Sequence, residues 1–340
     1  MGGNLRIGPL LNAPEPDLAD FLEEQGLAAA GESIVWTPLA GGVSSDIWRV
    51  ETPSAAICVK RALAKLKVAV EWEAPVERNA YEWAYMEVAA AIAPGAVPQP
   101  IAHDEKRGLF AMAWLPPERY RLWKSELLEG RADPDFAAAV GSLLGRIHAA
   151  TARDSSLPAG FATDDNFHAL RIDPYLLETA RQHPDLAADI EALAHRTAQT
   201  RHVLVHGDVS PKNILVGPDG PVLLDAEVAW FGDPAFDLAF CLNHLAIKAR
   251  VVEGAREPLV QSFLRLAGAY LDHVDWEDPA ALEQRAATLL PALALARVDG
   301  KSPLEYLDDG QRRSLRFASN AAIRAKPGRL EDALRLLLSD

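Results

Sequence analysis

The side chains best placed for chemistry lie between residues 203 and 227. A short apolar run, Val203 to Val205, ends at His206-Gly207-Asp208, and Asn213 follows Asp208 after four intervening residues. Ile214-Leu215-Val216 and Val222-Leu223-Leu224 then flank Gly217-Pro218-Asp219-Gly220, a pattern that predicts a β-hairpin. The turn centres near 218–219, so Asn213 and Asp225 fall almost equally far down opposite arms. A hairpin of that register sets an amide oxygen beside a carboxylate. These are the hard oxygen ligands of a Mg²⁺ that bridges phosphates, with few ligands from protein and the rest from water and phosphate. Asp208, at the head of the loop, can accept or orient the proton of an attacking hydroxyl. Each residue alone favours a turn or a helix cap; the spacing, the strands and the second acid together reverse that and point to phosphoryl transfer. His206, preceding a glycine in a tight loop, reads as a structural hydrogen-bonding residue.

A second group lies upstream. Residues 39–47, LAGGVSSDI, contain Gly41 and Gly42, which let the backbone approach phosphate oxygens, and Ser44 and Ser45, which offer hydroxyl and amide donors. A Gly-Gly hairpin turn is the competing reading, and neither a Walker A loop nor a GxGxxG sequence opening a helix occurs there. Lys60 ends the next apolar segment, Ala56-Ile57-Cys58-Val59-Lys60, where its ammonium can reach phosphates if an acid holds it. Glu82, 22 residues on, is the candidate acid, with Glu77 and Glu87 competing.

The elements that must position these groups fall into two regimes. From Ile34 to Leu115 short β-branched runs read as strands: Ile34 to Trp36, Ile47 to Val50, Ala56 to Lys60 and Leu109 to Ala113. One Ala- and Glu-rich stretch, Val76 to Ala93, stops at Pro94-Gly95 and reads as a helix. Beyond Pro116-Pro117 the periods are helical. Phe136, Val140, Leu143, Leu144 and Ile147 form one stripe, and residues 176–200, 256–275, 278–296 and 311–324 also predict helices. The expected class is α+β: a helical N-terminal extension over 1–33, a small β-rich, nucleotide-binding lobe with one helix over 34–115, and a larger, mainly helical lobe over 116–340 carrying the catalytic loop, metal and acceptor site. A chain of 340 residues, at about 150 per domain, fits two lobes.

Composition narrows the partners. Apolar residues make up 49% and charged residues 24%, a globular balance. Two cysteines, Cys58 and Cys241, cannot make a disulfide framework, which fits a reducing compartment. No signal-peptide pattern opens the sequence and no stretch of about 18 apolar residues occurs, so a cytoplasmic location without a membrane partner is expected. Forty-eight acids against 34 bases give a net charge of −14, which repels nucleic acid.

HGDVSPKNILV followed by LLDAEVAWFGDPAFDLA resembles the aminoglycoside phosphotransferase and choline kinase superfamily, which shares the protein-kinase fold. Within it, ICVKRALAKLKV, ERNAYEWAYMEVAAAIAPGAVP and WKSELLEG look more like methylthioribose kinases than antibiotic kinases. The resemblance covers roughly residues 34–245. It implies ATP and Mg²⁺ as cofactors, with Asp208 as catalytic base, Asn213 and Asp225 on Mg²⁺, Glu227 close to the metal, and Lys60 on the ATP phosphates. Arg78 and Glu82 match an R-x3-E pattern, supporting Glu82 as the partner of Lys60. Met112 to Leu115, including Trp114, corresponds to a hinge that meets adenine through backbone groups. Methylthioribose kinases also share a C-terminal Arg-Arg pair that meets substrate; the pair here, Arg312-Arg313, stands before RFASNAAIRAKPG and leaves methylthioribose specificity open.

Residues 160–175 and 297–306 are expected to be loops at the mouth of the larger lobe. Arg171, Tyr175, Arg297, Asp299 and Lys301, with Glu227, are candidate acceptor contacts, helix caps and surface ion pairs being the alternative for the loop residues. Gly232-Asp233-Pro234 and Asp237 should brace the metal loop, while Trp72, Trp83, Trp114 and Trp123 read as packing residues. The expected reaction is transfer of the ATP γ-phosphate to a hydroxyl of a small metabolite, a sugar or polyol of methylthioribose type. An aminoglycoside-type antibiotic kinase or a choline/homoserine-type amino-alcohol kinase is the alternative, and a homodimer is left open. No DFG or APE segment follows Asp225, and neither a GxSxG elbow nor clustered zinc-ligand spacing occurs, which disfavours a protein kinase, a hydrolase and a zinc enzyme.

Overall fold

A computed structural model describes residues 16–39, 45–63 and 78–339. Gly41, Gly42, Ser44, Trp72 and Glu77 lie outside the described residues. The chain divides into two compact units, residues 1–83 with 99–114 and residues 84–98 with 115–340.

The smaller unit is built on a five-stranded antiparallel sheet in the order β1-β2-β3-β5-β4, from β1 (Val35–Pro38), β2 (Ser45–Glu51), β3 (Ala56–Ala62), β4 (Pro100–Asp104) and β5 (Leu109–Ala113). Helix α1 (Pro16–Glu24) places Leu18, Phe21 and Leu22 on one face, three and four residues apart, and buries them with Trp48, Val50, Ile57, Val59 and Leu109. Ion pairs from Arg61 to Asp17 (3.0 Å) and from Arg107 to Glu24 (2.8 Å) tie α1 down. Strand β4 is absent from the sequence expectations. It begins at Pro100, and its register slips between Pro100 and Ala102. A proline that would break a central ladder is tolerated because β4 lies at the sheet edge.

Helix α2 (Arg78–Ile92) matches the predicted helix. Its second half and the turn after it, expected in the smaller lobe, join the larger unit. The Leu223 N–H donates to the Ala96 carbonyl (2.7 Å), and the Tyr85 ring meets His206 edge-on at 5.0 Å.

In the larger unit, β6 (Arg121–Leu122) leads into α3 (Trp123–Leu128), and α4 (Pro134–Thr151) follows. Asp133 caps α4 by accepting the N–H groups of Asp135 and Phe136. Short helices α5 (Leu157–Gly160) and α6 (Asp164–Phe167), a π-helix (His168–Leu177), α7 (Glu178–Gln182) and α8 (Ala187–Gln199) lead to β7 (Val203–Val205). The stretch 160–175, expected as a loop, is therefore largely helical. Pro174 sits inside the π-helix without an N–H to donate, and the irregular turn absorbs it. The helix expected over 176–200 breaks between Gln182 and Ala187, at Pro184. The segment 297–306 begins inside a helix, with Arg297 to Asp299 helical and a loop only afterwards.

Strands β8 (Ile214–Gly217) and β9 (Gly220–Leu223) form the expected hairpin, pairing Ile214 with Leu223 and Gly217 with Gly220, and β10 (Trp230–Gly232) pairs with β7. Five helices complete the unit: α9 (Pro234–Val251), α10 (Arg256–Leu271), α11 (Pro279–Asp299), α12 (Asp309–Ala325) and α13 (Leu330–Leu338). Helix α9 leaves no amphipathic signal because it is buried on nearly every face. Helices α4 and α10 approach so closely that a Cβ on Gly141 would sit 2.2 Å from the Leu266 carbonyl oxygen. Both cysteines are free and buried. No helix among the described residues is long and apolar enough to cross a membrane.

Candidate active site

In the smaller unit, β3 carries Lys60 and α2 carries Glu82. Both are buried, and the Lys60 Nζ lies 2.9 Å from Glu82 Oε1 and 2.7 Å from Oε2, bridging 22 residues of sequence. Arg78, one turn earlier on α2, donates to the Leu63 carbonyl (2.7 Å) and fixes the start of the helix against the end of β3. Glu87 is exposed, so among the described candidates Glu82 is the partner of Lys60. Ser45 is buried at the head of β2. Met112 sits on β5 opposite Cys58, and Trp114 lies under the Arg49 guanidinium at 5.4 Å. Leu115 begins the larger unit. Trp83 stacks on His103 at 5.0 Å and Trp123 packs on Phe136 at 5.4 Å, the packing roles expected of them.

The loop that carries Asp208 starts where β7 ends. Asp237, buried in the first turn of α9, accepts the His206 N–H (2.7 Å) and the Gly207 N–H (2.9 Å), so this acid braces the loop leading to Asp208 rather than the expected metal loop. Gly207 adopts φ +79°, and a Cβ there would lie 2.6 Å from the Val228 carbonyl oxygen; only glycine fits. Burial pushes His206 below its ordinary value, against the pull of Asp237 and Asp208. Its neutral ring accepts the Asp208 N–H at Nδ1 (3.2 Å) and has a structural role.

Asp208 is buried, and its two carboxylate oxygens are treated unequally. Oδ2 receives Asn213 Nδ2 (2.8 Å), Arg171 Nη2 (3.1 Å) and Lys212 Nζ (3.1 Å). Oδ1 is buried and has no hydrogen-bond partner among the described residues. Burial by itself would raise this carboxyl; Arg171 and Lys212 overcome it and hold Asp208 below the usual aspartate range. The result is an ionised carboxylate, locked by three donors at one oxygen, with the other oxygen an unused acceptor among the described residues.

Asn213 gives its amide N–H groups to the Asp208 carbonyl (3.1 Å) and to Oδ2, which leaves its side-chain oxygen, an acceptor, out of both bonds. Across the hairpin, the Leu224 N–H donates to the Asn213 carbonyl (2.9 Å), and Asp225 is the next residue. Asp225 holds φ +66°, a left-handed conformation rare outside glycine. Its charge acts on Asp208, and those of Asp225 and Glu227 act on Arg171. An amide oxygen, a carboxylate and a second nearby carboxylate match the donors Mg²⁺ takes. Among the described residues no cluster of three His, Cys, Asp or Glu side chains forms a metal cage.

The residues expected at a mouth loop separate into two sets. Arg171 comes to the catalytic loop: besides Asp208, it donates to the carbonyls of Gly207 (2.5 Å) and Leu170 (2.6 Å) and is buried. It is a clamp on the loop. Tyr175 lies beneath it, ring to guanidinium 5.8 Å, and the Tyr175 hydroxyl accepts from Arg297 (2.9 Å). Asp299 and Lys301 are not part of this group. Asp299 is held bidentately by Arg316 (2.7 and 2.6 Å) and contacts His183, and Lys301 pairs with Asp173 (2.7 Å) near the surface. Those two make ordinary ion pairs. Lys212 is missing from the sequence expectations. Its signal is the i,i+4 spacing to Asp208, turned inward by the 3₁₀ turn over Pro211–Asn213.

The APH model of the phosphotransferase enzyme family matches residues 35–282. A methylthioribose kinase of Pectobacterium atrosepticum is 23% identical over 274 residues, covering 71% of this chain and 67% of that one. Methylthioribose kinase 1 of Oryza sativa subsp. japonica is 23% identical over 253 residues, covering 65% of this chain and 58% of that one. The chain thus spans about three fifths to two thirds of the length of these relatives. Spectinomycin phosphotransferase APH(9)-Ia, solved with ADP and spectinomycin, superposes at TM-score 0.50 with 13% identity, over 94% of this chain and 97% of that one. LicA in complex with AMP gives 0.53 with 14% identity, over 91% and 98%. The fold is kinase-like, and the chain belongs to the phosphotransferase enzyme family.

Proposed function

We propose that this member of the phosphotransferase enzyme family transfers the γ-phosphate of ATP to a hydroxyl of a small sugar-like or polyol metabolite. The observation that carries the reading is the divided carboxylate of Asp208, with one oxygen fixed by three donors and the other buried and open.

Asp208 Oδ1 accepts the hydrogen bond of the attacking hydroxyl and points its oxygen at the phosphorus. A carboxylate held below its ordinary range is a weak base, which suits a reaction whose transition state needs orientation early and proton acceptance late. Lys60, aligned by Glu82, neutralises phosphate oxygens, and the backbone and hydroxyls of Gly41, Gly42, Ser44 and Ser45 donate to them. Met112 to Leu115, with Trp114, receives the adenine. Asn213 and Asp225, with Glu227 nearby, are the residues that would hold Mg²⁺, which when bound offsets negative charge on the phosphates. Little covalent work falls to the protein; position and charge carry the rate. Likeness to methylthioribose kinases favours a sugar-like acceptor over an aminoglycoside or an amino alcohol.

The test is a coupled ADP-release screen across pentoses, hexoses, polyols, choline-like amines and aminoglycosides, with Asp208→Ala as blank. Acceptor-dependent ADP release that disappears in the variant supports the proposal. Equal release by the variant, or no saturable nucleotide binding by the wild type, overturns it.

A further inference from the structure

Around Tyr175 the larger unit buries two cations that meet no carboxylate among the described residues. Arg297 is 7% exposed and, among the described residues, donates to the Tyr175 hydroxyl (2.9 Å) and the Ser302 hydroxyl (3.3 Å). Its Nε has no acceptor among them. Lys248, on α9, is 1% exposed, with the Tyr306 hydroxyl at 3.3 Å and the Tyr306 ring at 5.2 Å as its polar surroundings. Neither makes an ion pair with a carboxylate among the described residues. His244, one turn before Lys248, is 5% exposed, and its Nε2 is without a partner among the described residues. Phe240 joins this group to the catalytic loop: its ring lies 5.8 Å from His244, 5.4 Å from Tyr175 and 5.8 Å from the Arg171 guanidinium.

The charges act on one another. Burial first, then the positive charges of Arg297, Lys248, Lys212 and Lys124, push His244 well below its ordinary value. Burial, with Lys124 and Arg297, pushes Lys248 down to about 7. The acids of the neighbourhood are already engaged, Glu305 by Lys124 and Asp208 by Arg171 and Lys212. A chain with a net charge of −14 is rich in carboxylates, yet among the described residues none pairs with these two cations. Buried charge without a counter-charge is strongly unfavourable and persists where a ligand supplies the missing partner.

Resting on the phosphotransferase reading, we infer that the acceptor carries an anionic group, a carboxylate or phosphate, which docks on Arg297, Lys248 and His244 while its hydroxyl meets Asp208. The guanidinium Nε and the ammonium then gain charge-assisted bonds, and the neutral His244 ring donates from Nε2. Methylthioribose itself, being neutral, lacks this group; a polycationic aminoglycoside or a choline-like amine is repelled from it. A sugar acid or polyol acid, or a sugar phosphate, fits.

Isothermal titration of the full chain at constant ionic strength, with D-ribonate against D-ribose and with inorganic phosphate, tests this without any turnover. The expected result is saturable ribonate binding at least about tenfold tighter than ribose, as one charge-assisted bond supplies. Arg297→Met and Lys248→Met should each weaken it about tenfold while circular dichroism stays native. Binding near pH 8 should take up protons, read from two buffers of different ionisation enthalpy, because an anion raises the lowered Lys248 ammonium. Ribose binding as tightly as ribonate, no saturable anion binding, or indifference to both variants overturns the inference. Displacement of phosphate by ADP overturns it too, since the cations would then serve the nucleotide. Failure of ADP release with anion binding intact sinks the phosphotransferase reading alone.

Discussion

Replacing Asp208 separates its chemistry from its place in the fold. In Asp208→Ala the Arg171 guanidinium, 8% exposed, keeps its bonds to the carbonyls of Gly207 and Leu170 but loses the carboxylate at 3.1 Å. Removing one partner of a buried pair costs about 3–5 kcal/mol. At roughly 2–4 °C per kcal/mol for a unit of this size, Tm falls by about 6–20 °C. The orientation of the hydroxyl is lost as well, which lowers kcat by about 10²–10⁴-fold. Affinity for ATP should change by less than about threefold, under roughly 0.7 kcal/mol, because no nucleotide-binding role falls to Asp208. Adding Arg171→Met removes the stranded charge, so the double variant should recover about 2–4 kcal/mol relative to the sum of the single changes. It should recover no kcat. Thermal unfolding and steady-state kinetics on the four proteins complete the cycle. A double variant that regains turnover with its stability would make Asp208 a purely structural residue. Additive losses in Tm would show that the pair is not coupled and would refute the reasoning.

Asp208 is held below the usual aspartate range, so its share of stability is present above about pH 3.9, the unfolded value, and is lost as pH falls through the lower folded value. The wild-type pH–rate profile should accordingly show no acid limb from Asp208 above about pH 5, and Lys212→Met, which removes a cation at 3.1 Å, should move that limb upward; an unmoved limb counts against the pairing. Glu82→Gln leaves Lys60 buried beside a neutral amide and should lower kcat/KM for ATP by about a hundredfold through misplacement of the ammonium, whereas unchanged ATP kinetics would dismiss the pair. At Asp225, with φ +66°, the Gly variant should be more stable than the Ala variant by about 1–2 kcal/mol while both lose activity, since both delete the same carboxylate and only alanine is strained there; equal melting temperatures would mean the backbone relaxes.

The hairpin and the loop that precedes it were legible because local rules determine them. Gly217 to Gly220 admits one tight turn, and that turn sets Asn213 opposite Leu224 with Asp225 beside it. Lys60 and Glu82 were legible because a strand end and a helix face are periodic features. What stayed hidden depends on long-range placement. The 160–175 segment looks irregular, with Thr163, three aspartates and Pro174 interrupting any stripe, yet it is largely helical and delivers Arg171 to a carboxylate 37 residues away in sequence. Helix α9 hid for the opposite reason, since a helix buried on nearly every face carries no polar stripe to reveal its period. Asp299 and Lys301 attracted notice as polar residues in apolar surroundings, and their partners Arg316 and Asp173 could not be assigned without coordinates.

Two buried aspartates stand on either side of the same loop, and residue type alone cannot tell which one reacts. Asp237 spends both oxygens on backbone: Oδ2 takes the His206 N–H and Oδ1 the Gly207 N–H, with His148 Nε2 a further 3.3 Å from Oδ2. A substrate hydroxyl approaching Asp237 would have to displace a bond that shapes the loop. Asp208 concentrates its donors on Oδ2, so an approaching hydroxyl finds Oδ1 desolvated, negatively charged and already aimed. The charge of that carboxylate is held against burial by two cations whose other bonds differ. Arg171 is buried and tied to the carbonyls of Gly207 and Leu170 as well as to Asp208, while Lys212 is half-exposed. Removing the guanidinium therefore breaks bonds to the loop backbone as well as the ion pair, whereas removing the lysine takes away the ion pair alone.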